Sequence, residues 1–235
     1  MILGIDHLVI VVKDLDRAAR DYQQLGFTVV PGGQHPVGSH NMLISFADGS
    51  YLELIAFYRE AIDHRWWQPL QKGERLVDFC FQTDDLRGDT KKLQDAGVAI
   101  NNPVPWSRKR PDGYELKWLL SLATGSHRAV APFLIEDVTP RSERIPQQFL
   151  HVNQISGIEK VVVAVGELGQ IAKWYGALLG KGEPFADATL GADGLRFQVG
   201  THVVDFVSPR DADSPLINWL REFGPSPYAA VLKSA

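Results

Sequence analysis

Apolar positions along this chain fall into short alternating or continuous runs, separated by stretches whose apolar residues stand three and four apart. The stretch IDHLVIVVKDLDRAARDYQQLGF begins with an apolar run, passes an Asp-Leu pair (Asp14, Leu15) and reaches a glycine, Gly26. That order reads as a strand followed by an amphipathic helix, since side chains repeat every two residues in a strand and every 3.6 in a helix. LVDFCFQTDDLRGDTKKLQDAGV has the same design around Asp85 and Leu86, and GIEKVVVAVGELGQIAKWYGALLG repeats it a third time. Leu15, Ala18, Tyr22 and Leu25 correspond to Leu168, Ile171, Tyr175 and Leu178, so the same helix face is apolar in both copies.

Strand patterns follow each helix. In the first unit HNMLISF and YLELIAF flank a turn at Asp48-Gly49, a good hairpin signal. In the second, YELKWLLSL and AVAPFLIE flank ATGSH; in the third, GLRFQV and HVVDFVS flank Gly-Thr. Each unit therefore reads β-α-β-β-β, and the chain is expected to be α+β, with tandem modules whose curved sheets pair to enclose a cleft. The expected organisation is a paired body over 1–138 (modules 1–57 and 74–138), a polar linker over 139–153, and a third module over 154–235. PYAAVLKSA at the end looks like the first strand of a fourth unit, which makes a homodimer an expectation.

Composition narrows the function classes. The chain has 235 residues, 45% hydrophobic and 22% charged, with a formal net charge of −4, so its basic residues leave no footprint for a nucleic-acid partner. One cysteine, Cys80, rules out an intrachain disulfide and a cysteine-rich metal cluster. No apolar run is long enough for a membrane span, and the first residues lack a secretory pattern, so the expected location is cytoplasmic. P-loop, GxSxG and CxxC motifs are absent.

Candidate chemistry begins with Glu53, a carboxylate in the middle of the apolar run YLELIAF. Burial of a carboxylate is costly unless it is paired, hydrogen-bonded or metal-bound, whereas strand alternation offers the plainer alternative that Glu53 points to solvent. His40 and Asn41 open a strand, and one of them is expected to face the cleft. RKRPDGYELKW brings Arg108, Lys109 and Arg110 close to Trp118; Arg108 and Lys109 read as a solvated loop, while Arg110 and Trp118 are the better candidates for a pocket wall. Arginine suits an anionic small molecule, which it can clamp through two nitrogens. HRWWQPL reads as an apolar lid or interface.

Taken in order, GIDHLVIVVKDLD, GSHNMLISFADGSYLELIAF, RKRPDGYELKWLLSLA, PFLIED and HVNQISGIEKVVVAV resemble the vicinal oxygen chelate superfamily, and within it the glyoxalase-like domain family. The resemblance implies a cleft site, often with a divalent metal (Zn, Mn, Fe or Ni) held by a first-strand His and a fourth-strand Glu, here His7 and Glu53. It implies lyase, isomerase or dioxygenase chemistry on a small oxygenated molecule, with Glu53 moving a proton. The alternative it implies is metal-free sequestration of the bleomycin-resistance type. The second module departs from the pattern: Asp78 stands in the place of His7 and Pro132 or Phe133 in the place of Glu53. Asp78 is therefore the one candidate for a third ligand beside His7 and Glu53. In the third module Lys160 and Asp205 fill those places and are expected to pair with each other. His40, Asn41, Arg110 and Trp118 are the expected substrate contacts.

Overall fold

The computed structural model describes residues 1–234. The first module consists of β1 (Ile2–Val11), α1 (Leu15–Gln24), β2 (Val30–Gln34), β3 (Ser39–Ser45) and β4 (Tyr51–Phe57). A short helix, α2 (Trp67–Gln71), leads to the second module: β5 (Arg75–Thr83), α3 (Leu86–Asp95), β6 (Val104–Lys109), β7 (Glu115–Ser121) and β8 (Phe133–Asp137). After α4 (Arg141–Arg144) comes the third module, β9 (Ile155–Ala164), α5 (Gly169–Leu179), β10 (Glu183–Asp187), β11 (Ala192–Val199) and β12 (His202–Pro209). It is followed by α6 (Pro215–Phe223) and β13 (Ser226–Ser234). The repeated Asp-Leu pair has a local cause. Asp14 and Asp85 cap their helices, accepting from the backbone nitrogens of Arg17 and Gly88, and Leu15 and Leu86 begin the buried face.

The first two modules close into one barrel with strand order β1-β4-β3-β2-β6-β7-β8-β5. One seam is the long antiparallel pair β1/β5; the other, β2/β6, is a single bridge at Gln34 and Lys109. Alternation sorts side chains to two faces. Leu8, Leu52, Leu54, Phe79 and Phe81 face outward into a large core, while Val9, Val11, Ile55, Cys80, Trp118 and Phe133 form a separate inner cluster. The outer core is shared with the third module through Val161, Val163, Tyr175, Phe197 and Phe206.

The third module is an open sheet of order β10-β11-β12-β9-β13. β13 lies antiparallel on β9 as β5 lies on β1, the place expected for the first strand of a fourth unit. Sequence reading did not anticipate α6, which lays Leu216, Trp219 and Leu220 against Val162, Ala164 and Val207. It covers the face that a partner module would otherwise cover. Lys160 does pair with Asp205, at 3.2 Å, and Arg196 adds a second cation at 2.7 Å.

Candidate functional site

Strand alternation turns Glu53 inward with Ile55, while its neighbours Leu52 and Leu54 join the outer core. His7 also points inward, and its Nε2 lies 3.5 Å from Glu53 Oε2. The other carboxylate oxygen, Oε1, accepts from Asn41 Nδ2 at 2.5 Å, so the Glu53 head group is fixed from both sides. The ring of Tyr51 stacks on His7 with centroids 4.6 Å apart.

Asp6 completes this arrangement through an irregularity of β1. Ile5 pairs with Phe81 and His7 with Cys80, so Asp6 is the extra residue of a β-bulge. The bulge brings its carboxylate to the His7 ring, with Nδ1 and Oδ1 2.7 Å apart. Asp6 is fully buried and is matched by Arg144, whose Nη1 and Nη2 donate to it at 2.9 and 2.8 Å, and by Arg141. Burial pushes the Asp6 carboxyl up, but the two guanidiniums outweigh it and hold the group well below the usual carboxylate range. Burial likewise pulls Arg144 down, and Asp6 and Tyr51 more than restore it. Arg144 also donates to Tyr51 Oη at 2.8 Å and to Asp137 at 2.5 Å. Since Asp6 stays ionised, it is an acceptor for His7 Nδ1, and Nε2 is the ring nitrogen that faces Glu53.

His7, Asn41, Tyr51, Glu53 and Arg144 line a barrel cavity of about 780 Å³. Trp66, Trp106, Trp118 and Phe133 supply aromatic wall, and Arg108 supplies a cation that is 3% exposed. Arg108 donates from Nη2 to the Arg144 carbonyl at 3.0 Å, and burial lowers its affinity for its proton. His35 and His64 line the same cavity, both brought to about 4, chiefly by burial.

The structure distributes the expected site residues unevenly. His7, Glu53, Asn41 and Trp118 line the cavity. His40, next to Asn41 on β3, takes the opposite face and meets Tyr58 edge-on at 5.9 Å. Arg110 sits in the β6–β7 turn, where it pairs with Asp112 and Glu143 outside the barrel. The basic residue of this stretch that lines the cavity is instead Arg108, which the sequence reading left in a loop, beside Arg65, Arg128 and Arg144 from elsewhere; β6 runs to Lys109, and alternation sends Trp106 and Arg108 inward. Asp78 is buried but is held by Trp66 Nε1 at 2.8 Å, the Phe79 nitrogen at 3.1 Å and Arg65 at 2.8 Å. It is not among the residues around the cavity. Sequence reasoning passed over Asp6, Tyr51, Arg108, Arg144, His35 and His64. A bulge cannot be read from alternation, and Arg144 lies in a stretch whose polarity looked like a linker.

A metal at this place would find two good donors. Two ligands each about 2.1 Å from one ion and at a tetrahedral angle lie about 3.4 Å apart, close to the His7–Glu53 separation, and a carboxylate behind His7 is the usual support. A third protein ligand does not converge with them. Asp78 is committed to Arg65 and Trp66, and Pro132 and Phe133 offer no donor. Among the described residues the grouping that meets metal-ligand spacing is Asp6, His7 and Cys80. There Asp6 is spent on two arginines, and burial holds the Cys80 thiol well above its ordinary value. The donors fall short of the three protein ligands of a catalytic centre.

A family model described as a glyoxalase-like domain matches residues 5–179. No curated protein matches the chain. Among solved structures, a hypothetical protein from Staphylococcus aureus is 19% identical with a TM-score of 0.68, the match covering 88% of this chain and 86% of that one. A mutant of 4-hydroxymandelate synthase from Streptomyces coelicolor is 17% identical with a TM-score of 0.63, covering 99% of this chain and 71% of that one. At these identities the likeness is one of fold.

Proposed function

The chain belongs to the glyoxalase-like domain family of the vicinal oxygen chelate superfamily, and from that premise we propose that it is an enzyme that moves a proton on a small oxygenated carboxylate held in the barrel cavity. The observation that carries this reading is the Asp6–His7–Glu53 chain, whose His7 and Glu53 line a cavity that also holds a buried arginine. Two acceptors, the His7 Nε2 lone pair and a Glu53 oxygen, face each other at 3.5 Å. Such a pair calls for one proton between them, which makes it a station that can take a proton and give it back.

In this mechanism Arg108 binds the carboxylate of the substrate. Glu53 Oε2 takes a proton from the carbon next to that carboxylate, and the C–H electron pair moves toward the carboxylate oxygens. Arg108 stabilises the charge that develops there, and His7, steadied by Asp6, offers its Nε2 to the proton that Glu53 has taken. Return of the proton from Glu53 to the face it was taken from completes the exchange with no net change in oxidation state. Asn41 keeps the Glu53 carboxylate aimed.

A second reading, metal-free sequestration of a small molecule, is favoured by the aromatic walls and by the missing donors of the second module. The two readings part in heavy water. A panel of small carboxylates incubated with the protein in D2O should show deuterium entering next to the carboxylate, and Glu53→Gln should abolish it. Binding without exchange supports sequestration instead. Elemental analysis supplies a further arm. Stoichiometric metal that is lost on His7→Ala would overturn the metal-free scheme.

A further inference from the structure

Four arginines line the barrel cavity, and they differ in how far their charge is answered. Arg144 is held by two carboxylates, Asp6 and Asp137, and Arg128 is exposed to water. Arg108 has no carboxylate at ion-pair distance among the described residues. Arg65 has one: its Nη2 lies 2.8 Å from Asp78, which also accepts from Trp66 Nε1 and the Phe79 nitrogen. Nε and Nη2 of Arg65 are enclosed by protein. Nη1 is neither enclosed nor bonded to a protein acceptor among the described residues, so it is the nitrogen that an occupant of the cavity meets. Aromatic faces hold the guanidinium in place, its carbon 5.4 Å from the centre of the Phe133 ring and 5.8 Å from that of Trp66.

Arg65 and Arg108 are reached from Glu53 in opposite directions. Around the barrel, β3, β2 and β6 lead from Glu53 to Arg108, whereas β1, β5 and β8 lead the other way to Asp78 and Phe133, the neighbours of Arg65. Asn41 joins Glu53 on the first side. On the second, the His7 ring faces Glu53 and meets Phe133 edge-on at 5.3 Å. We infer that the cavity takes a dicarboxylate, with one carboxylate on Arg108, the other on Arg65 Nη1 and a hydrocarbon middle beside Glu53. This rests on the reading of the cavity as a carboxylate site and adds a second anion, set apart from the first. A guanidinium that holds one carboxylate can take another, as Arg144 does with Asp6 and Asp137 and Arg110 with Asp112 and Glu143. Ile55, Trp118 and Leu120 give the cavity apolar wall for the chain between the two groups. The acidic residues Glu60 and Asp63 also line it, but both are exposed to water, which screens them.

The test is calorimetric titration of the full chain with the straight-chain dicarboxylates from succinate to pimelate, each beside the monocarboxylate of equal carbon number. At least one dicarboxylate should bind more tightly than its counterpart by about tenfold or more, since its second carboxylate gains a charge-assisted hydrogen bond. Arg65→Met should erase that difference, and Arg65→Lys should keep part of it. Arg65→Met/Asp78→Asn, which leaves no unpaired charge behind, should erase it too, with circular dichroism to check the fold of each variant. A parent chain that binds the monocarboxylates and gains nothing from the second carboxylate overturns the Arg65 assignment and leaves the carboxylate site standing. A difference that survives both Arg65→Met variants also overturns it. Binding of neither kind of acid at millimolar concentration overturns both readings.

Discussion

Asp6 and Arg144 form a charge pair with almost no exposure, and neither has water to fall back on. Removing one member leaves the other charged and buried, which costs about 3–5 kcal/mol in comparable pairs. Asp6→Asn and Arg144→Met are each expected to lower the unfolding free energy by about that much, whereas the double variant should recover part of the loss; urea denaturation of all four chains measures it. His35 and His64 give the molecule a second residue-scale signature. Their folded values near 4 lie below the ordinary 6.5, so between those limits the unfolded chain binds more protons. Stability should fall as pH drops through that window, by about 1.4 kcal/mol per pH unit for a fully buried histidine, and His35→Asn should flatten the slope. Asp6 acts lower still: its depressed value adds stability that disappears only as pH falls through it. A stability profile that is level from pH 6.5 to 4 would contradict the histidine account.

At the scale of elements, Gly32 on β2 is where two site groups meet. A Cβ there would stand 2.1 Å from Asn41 Oδ1, so Gly32→Ala is expected to displace Asn41 and weaken carboxylate binding even if the fold survives. Ligand titration beside circular dichroism separates the two effects. Helix α6 offers a packing test, since Leu216 is fully buried against the third sheet; Leu216→Ala should cost about 2–5 kcal/mol in chemical denaturation. The elements differ in how openly the chain announced them. The Asp-Leu pairs were legible because capping and the first buried helix position are local requirements, met by adjacent residues. The inward turn of Glu53 was expected from the family resemblance, because alternation by itself left the solvent-facing alternative open. Arg108 was obscured because three consecutive basic residues look solvated, and only the end of β6 decides that Arg108 belongs to the strand and Arg110 to the turn. Arg144 gave no local signal at all, because its partners Asp6 and Tyr51 lie far back in the chain.

On the scale of the whole molecule, the barrel and the third module are built around one outer core. Tyr175 of α5 is fully buried between them and donates from its hydroxyl to the Val130 carbonyl at 2.6 Å. A chain cut after residue 153 would expose that apolar surface and is expected to aggregate, and the intact chain should unfold in a single calorimetric transition. Two separate transitions would contradict a shared core. No helix among the described residues is long and apolar enough to cross a membrane. The connecting segment between barrel and third module is part of the site, because it places Arg144 beneath Asp6 and the Arg144 carbonyl against Arg108. The site thus draws on two barrel modules and the strap that leaves them, and its chemistry converges on one imidazole. The most direct test is a long-range proton–nitrogen NMR spectrum of histidine-labelled protein, with His7 assigned by substitution. Neutral His7 is expected to carry its proton on Nδ1, and Asp6→Asn to lose this preference. A neutral His7 protonated on Nε2 in the parent chain would contradict it.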